Sequence, residues 1–300
     1  MSWAATEFRN LDLGDPRRNR RAIRLMEKLS AKPTASIPGA CGDWADTIGA
    51  YRFFNNEEVE WSAILAPHIQ NSVTRMAAHA VVLWARELKD KDGHRAGIKE
   101  SVRWIEGYER LAEMAEKMPT TRLVCLADRE ADIMDLMVRA RDLATPLDWL
   151  LRSKHNRTLS SGDKPWSGVT EGESLGEIRF TLPQRQGQRA REVVQEVWAQ
   201  TLSLPDGKRG FVQATCLVAR EGEPPEGDKA VEWRLLTNLP VATLDQAAKM
   251  IDWYRSRWEF EMFFQVLKNG CLVEACSCAP LTGLSVLWCC TWWLLGASPD

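Results

Sequence analysis

Residues 253–270 read WYRSRWEFEMFFQVLKNG. The stretch is rich enough in Trp and Phe for a buried helix, yet it also carries a tyrosine, two arginines, two glutamates and a lysine. At about 100° per residue, Tyr254, Arg257, Glu261 and Lys268 fall at roughly 0°, 300°, 340° and 320°, one sector about 60° wide. A salt-bridged solvent face would use the same residue types without that spacing. A phosphodiester and a metal ion account for it better, with Glu261 on the cation and the phenol, guanidinium and ammonium groups on the phosphate. The upstream TLDQ places Thr243 as the N-cap of this helix, and Asn269-Gly270 ends it.

Working outward, TTRLVCLADREADIMDLMVRA (120–140) predicts a short buried strand over Leu123–Ala127, then a turn and an apolar helix. Asp128 stands where the strand gives out, and in open α/β sheets ligands are met at the carboxyl ends of strands. WLLRSKHNRTL (149–159) adds a strand that ends in a basic cluster, Arg152, Lys154, His155 and Arg157. From about residue 160 to 232 the chain reads as antiparallel β segments, GEIRFTLPQ, REVVQEVWAQTLSL and GFVQATCLVAR, separated by Gly, Pro and Asp. AVEWRLLTNLP (230–240) gives one more strand before the long helix.

The first 75 residues read as helical. In LGDPRRNRRAIRLMEKLS (13–30), Asp15 is placed as an N-cap and Pro16 at the first helical position. Five arginines follow within eight residues: Arg17, Arg18, Arg20, Arg21 and Arg24. Such a run is either a solvated basic face or a contact to DNA phosphates. GDWADTIGAYRFFNN and WSAILAPHIQNSVTRMAAHA supply two further helices.

Composition bounds these readings. The chain has 300 residues and a formal net charge of −2, so any polyanion site is a local patch rather than the whole surface. MSWAATEFRNLDLGDPRR has no apolar signal core, which predicts a cytoplasmic protein. Cys271, Cys276, Cys278, Cys289 and Cys290 crowd the last thirty residues without a histidine at ligand spacing, a weak basis for zinc.

Tyr-x2-Arg-x3-Glu-x6-Lys, met by Tyr254, Arg257, Glu261 and Lys268, resembles the YREK signature of DDE transposases of bacterial insertion elements, the group that includes the transposon-five enzyme. DREADI (128–133) resembles the segment that carries the family's second catalytic aspartate, and RSKH (152–155) follows it as in the family. LGDPRR and GAYRFFNN resemble its N-terminal DNA-binding domain. The resemblance spans roughly residues 8 to 275. It implies an α/β fold: a ribonuclease-H-like core interrupted by a β-rich insertion and preceded by a helical DNA-binding domain. The domains would be residues 1–75 (DNA-binding), 76–159 (first part of the core), 160–232 (insertion), 233–275 (second part of the core) and 276–300 (an apolar tail). It also implies that Asp128 and Glu261 are catalytic ligands of Mg2+ or Mn2+. Tyr254, Arg257 and Lys268 would hold phosphates near the scissile bond, with Arg152, Lys154 and the five N-terminal arginines as further DNA contacts. Trp233 would stack a flipped base. The partner is double-stranded DNA at transposon ends, bound by a homodimer in a bacterial cytoplasm, with no membrane.

Two departures stand out. The family's first aspartate follows an apolar strand, but here TRMAAHAVVL runs straight into WARELKDKDGHRAGIKE, as though several dozen residues were missing near Leu83-Trp84. Asp90 and Asp92 are the nearest acids, in a Lys/Asp turn with no strand to fix them. The tail CSCAPLTGLSVLWCCTWWLLGASP (276–299) has no charged residue, where the family continues in amphipathic helix. Translation in a shifted frame is the favoured account. A tail anchor is the rival, since Leu281–Ala297 sits at the short limit of the ~17–25 residues that span a bilayer. The expectation is a transposase that has lost its first catalytic aspartate and with it activity. A DNA-end-binding competitor and a tail-anchored protein are the alternatives.

Overall fold

A computed structural model describes residues 2–32, 35–85, 100–182, 190–208 and 210–270. The apolar tail 276–300, Asp90 and Asp92 lie outside the described residues. The chain divides into two compact units. One comprises residues 1–78 with the described residues from Glu259 on, and the other His79–Trp258.

The N-terminal unit is helical: α1 (Trp3–Glu7), α2 (Pro16–Ala31), α3 (Ile37–Cys41), α4 (Trp44–Phe54) and α5 (Trp61–Ala77). The start of α2 is the one the sequence marks, and α4 has a cap of the same kind. The Asp15 side chain accepts from Arg17 N with Pro16 in the first turn of α2, and Asp43 caps α4 by accepting from Asp46 N at 2.7 Å. Phe8, Leu25, Met26, Phe53, Phe54 and Ile64 fill the core. Glu7, ending α1, ties to α5 through His68 at 2.9 Å and Arg75 at 2.9 Å.

The second tie is a buried carboxylate. Asp46 on α4 takes Arg21 at 3.1 Å, Arg24 at 2.7 Å and also Lys28, three cations of α2. Gly49, one turn on, makes this possible: a Cβ there would lie 2.7–2.9 Å from the Arg21 guanidinium, which passes over the α4 backbone. Lys28 above all, with Arg24 and Arg21, holds Asp46 below the usual carboxylate range against the cost of its burial.

The larger unit is a seven-stranded sheet in the order β1-β2-β3-β7-β6-β5-β4. The strands are β1 (Val81–Ala85), β2 (Arg122–Ala127), β3 (Leu147–Arg152), β4 (Gly176–Leu182), β5 (Arg191–Pro205), β6 (Phe211–Glu221) and β7 (Glu232–Thr237). β1, β2 and β3 run parallel, joined by α6 (Glu100–Glu116) and α7 (Met134–Leu143). Buried on nearly every residue, β2 and β3 read as continuous apolar runs, as parallel strands covered on both faces must. The other pairings are antiparallel. The strands of the β-rich stretch therefore do not form a sheet of their own; they extend the parallel one through β7. β4 alternates half-buried and exposed residues, the period-two signature of a strand with one face in water.

The last element is α9 (Leu244–Gly270), with Gln246 N donating to Thr243 Oγ1 at 3.3 Å as its cap. Cys41, Cys125 and Cys216 are buried, with no disulfide among the described residues. Among the described residues no helix is long and apolar enough to cross a membrane.

The Asp46 clamp predicts a pH dependence. A carboxylate held below its ordinary value of 3.8 stabilises the fold above that pH, and the benefit is lost as pH falls through the folded value. Asp46→Asn should lower the urea midpoint of the full chain at pH 7, and the gap from wild type should close below about pH 4. A gap that stays constant down to pH 3 would remove Asp46 as the cause.

Candidate nucleic-acid interface

At the carboxyl end of the parallel strands, Ala127 of β2 pairs with Leu151 of β3, so the next residues, Asp128 and Arg152, come out side by side. Asp128 is half-buried, and its Oδ1 accepts from Glu130 N at 3.0 Å, capping a short 3-10 turn, Arg129–Ala131. α9 brings Tyr254 to the same place. That phenol is 2 % exposed, and its hydroxyl has no well-formed hydrogen bond. Burial pushes its pKa up; Arg257 and Arg152 pull against that, and the Asp128 carboxylate adds to the rise. The Arg257 guanidinium lies 5.7 Å from the centre of the Tyr254 ring. Four residues singled out by sequence thus share one electrostatic neighbourhood: Asp128, Arg152, Tyr254 and Arg257.

α9 has an inverted character here. Tyr254 is buried and Arg257 and Glu261 are half-buried, whereas Trp258 and Met262 are 46 % and 64 % exposed. The polar sector is therefore the sheltered one, which a solvated salt-bridge face would not be. Glu261 stands one turn beyond Arg257 on α9, in the other compact unit. The side chain of Lys268 lies outside the described residues.

Beside Arg152 opens a cleft of about 370 Å³ lined by Arg129, Arg152, Ser153, Lys154, Glu232 and Arg234. Four cations face one carboxylate. Arg129 follows Asp128 directly, and Arg234 comes from β7. Strand alternation puts Glu232 and Arg234 on one face of β7, and the Glu232 carboxylate bridges Arg234 at 2.5 Å and Arg220 at 2.7 Å. Burial pushes the Glu232 carboxyl up, but the Arg220 and Arg234 guanidinium groups together outweigh it and hold it below the usual range. The Arg234 guanidinium also lies 6.0 Å above the Trp166 ring of α8 (Pro165–Glu171). A cleft with this balance suits a phosphate oxygen, which guanidinium forks recognise by charge-assisted hydrogen bonds.

Trp233 is half-buried and already stacked: its ring lies 5.7 Å from that of Phe180 at 22°, and Arg255 covers Phe180 at 4.7 Å. One face of the indole is therefore occupied by protein. Arg129, Glu232 and Arg234 did not emerge from sequence reasoning. The alternation in EWRLLT carried the signal for the last two, but placing them beside Arg152 required the β3–β7 register.

In the N-terminal unit the five arginines divide. Arg21 and Arg24 belong to the Asp46 clamp, and Arg18 pairs with Glu58 while donating to Leu13 O at 3.1 Å. Arg17 and Arg20 are exposed and make no ion pair among the described residues. These two are the cations most available to an external phosphate.

Among the described residues no group of three His, Cys, Asp or Glu side chains stands together as metal ligands. A divalent ion of the Mg2+ kind asks for several oxygen donors in near-octahedral array. Asp128, whose carboxylate already caps a turn, does not meet that requirement with the acids around it.

The cleft makes a test of its own. Glu232→Gln removes the one anion facing the cations, so affinity for a short DNA duplex at low salt should rise roughly three- to tenfold, and the gain should fade as salt screens it. Unchanged or weaker binding would show that phosphates do not enter this cleft.

Residues 1–59 match the family described as transposase DNA-binding. The match takes in α1 to α4, with both the arginine run and the Asp46 clamp. Over these residues the chain is similar to transposase DNA-binding domains, which supports a transposase-type DNA-binding role for the N-terminal helices.

Proposed function

We propose that this chain is a DDE transposase of the YREK group that binds transposon ends and is catalytically defective. The observation that carries the reading is the convergence of Asp128, Arg152, Tyr254 and Arg257 beside a cationic cleft, in a chain whose N-terminal residues match transposase DNA-binding domains. The DREADI aspartate, the RSKH arginine and the first two members of the YREK spacing meet although they lie just past β2, on β3 and on α9. That meeting supports a common role on one phosphodiester. The parallel trio β1, β2 and β3, with β1 at the sheet edge, is compatible with a ribonuclease-H-like core that has lost the strands beyond β1.

In this reading Asp128 and Glu261 are two of three carboxylates that would serve Mg2+ or Mn2+. The third was lost with the segment after β1. Two-metal phosphoryl transfer needs ions about 3.5–4 Å apart, sharing ligands. Removal of one carboxylate leaves both nucleophile activation and leaving-group stabilisation incomplete. Phosphate positioning by Tyr254, Arg257 and Arg152 would persist without cleavage.

Binding and cleavage are tested separately. Arg17→Ala/Arg20→Ala should weaken duplex binding and flatten the log–log salt dependence by roughly two units, about 0.9 for each phosphate no longer neutralised. Arg21→Ala should instead act mainly on stability. If the double variant binds DNA as wild type does, the proposed contacts are wrong. For catalysis, no nicking or hairpin formation is expected on end-containing DNA with Mg2+ or Mn2+. Cleavage that disappears in Asp128→Ala and Glu261→Ala would overturn the defect.

A further inference from the structure

DREADI offers three acids, and the structure gives each a different environment. Asp128 caps the 3-10 turn at the strand end, Glu130 is exposed, and Asp132 is buried at 2 % exposure. The Asp132 Oδ2 accepts from Ser153 Oγ at 3.0 Å, from Lys154 N at 2.6 Å and from His155 N at 2.8 Å. Its Oδ1 is ion-paired with Arg157 at 2.5 Å, and Arg157 also donates to the Asp132 carbonyl at 2.9 Å. One carboxylate therefore receives a hydroxyl, two successive backbone amides and a guanidinium, all from residues 153–157.

A buried carboxylate with this many donors is costly to leave unpaired, so loop 153–157 cannot move without stranding it. The loop is fixed on its other sides too. Ser153 N donates to Arg234 O at 2.8 Å, and Trp166 Nε1 donates to His155 O at 3.3 Å. Ser153 turns its hydroxyl inward to Asp132 while its neighbours Arg152 and Lys154 line the cleft. The same two tethers set Arg152 and Lys154 relative to Arg234.

We infer that Asp132 is a positioning residue for the cationic cleft: its carboxylate holds the Ser153–Arg157 loop so that Arg152 and Lys154 face one phosphate together with Arg234. The inference rests on the reading of the cleft as a DNA phosphate site.

A double-mutant cycle on the full chain tests it, with a fluorescein-labelled mixed-sequence duplex as probe and salt dependence as readout. Arg152→Gln/Lys154→Gln should flatten the log–log slope by up to about two units. Asp132→Asn alone should lose at least half as much. Added to the Arg152/Lys154 variant, it should change affinity by less than about twofold, because residues acting through one another are not additive. A merely structural loss would weaken binding on both backgrounds. Should Asp132→Asn fail to fold by circular dichroism, Arg157→Lys supplies the same cycle: it keeps the charge but not the double grip. Asp132→Asn binding like wild type, or weakening both backgrounds equally, overturns the inference while leaving the phosphate site standing. An Arg152→Gln/Lys154→Gln variant that binds like wild type overturns the phosphate site itself, and the inference with it.

Discussion

Strand β7 is hydrogen-bonded along both edges, and the candidate site depends on that double bonding. One edge pairs antiparallel with β3 through Leu235, Leu236 and Thr237; the other pairs with β6 from Glu232 to Thr237. Without β7 the parallel trio would end at β3 with an unpaired edge, and the β-rich stretch would be a separate ribbon. With it, Glu232 and Arg234 are delivered beside Arg152 and Lys154, which come from a different part of the chain. Thr237 strengthens the junction by donating to Trp149 O at 2.6 Å, and Ser153 N extends it by one bond past the end of β3. Because a one-residue slip would turn Arg234 to the opposite face, the cleft exists in only one register.

A second constraint is shared by the two units. Each uses one buried carboxylate to order a basic segment. Asp46 gathers Arg21, Arg24 and Lys28 from α2, and Asp132 gathers the loop that ends in Arg157. In water an ion pair of this kind contributes little. Inside, the penalty for an unpaired charge is large, so the pairing specifies geometry more than it adds stability. The cations left over, Arg17 and Arg20 in one unit and Arg129, Arg152 and Lys154 in the other, are not held by these carboxylates.

Much of this was legible in the sequence, and the limits have physical reasons. The Asp15-Pro16 and Thr243 helix starts were readable because capping is local, and β2 because a continuous apolar run bounded by Thr and Asp has few other uses. The spacing of Tyr254, Arg257 and Glu261 was readable as one helical sector, but not that this sector is sheltered while Trp258 and Met262 face outward. Hydrophobicity alone predicts the opposite. The arginine run could be counted but not divided, because the divider, Asp46, lies 25 residues from Arg21 and 22 from Arg24. Asp128 stood out in DREADI because it follows the strand, but only the fold shows that Asp132, four residues on, is enclosed by donors from residues 153–157.

The near-neutral composition now has an explanation at the level of individual groups. With 39 basic and 41 acidic residues, the chain has no charge excess with which to attract a polyanion at long range. Local excess arises where a few acids are turned inward, each neutralising a base that has a structural task. Asp46 does this under α2 and Asp132 under the strand ends. Glu232 differs from these: its carboxylate stays in the cleft, bridging Arg220 and Arg234. It lowers the field there without removing it, and it keeps the Arg234 guanidinium aligned before any phosphate arrives. Affinity in such a cleft is limited by design of the fold rather than by a shortage of arginine. The energy of phosphate contact would then come from replacing one anion by another around guanidinium groups already in place, with little side-chain ordering left to do.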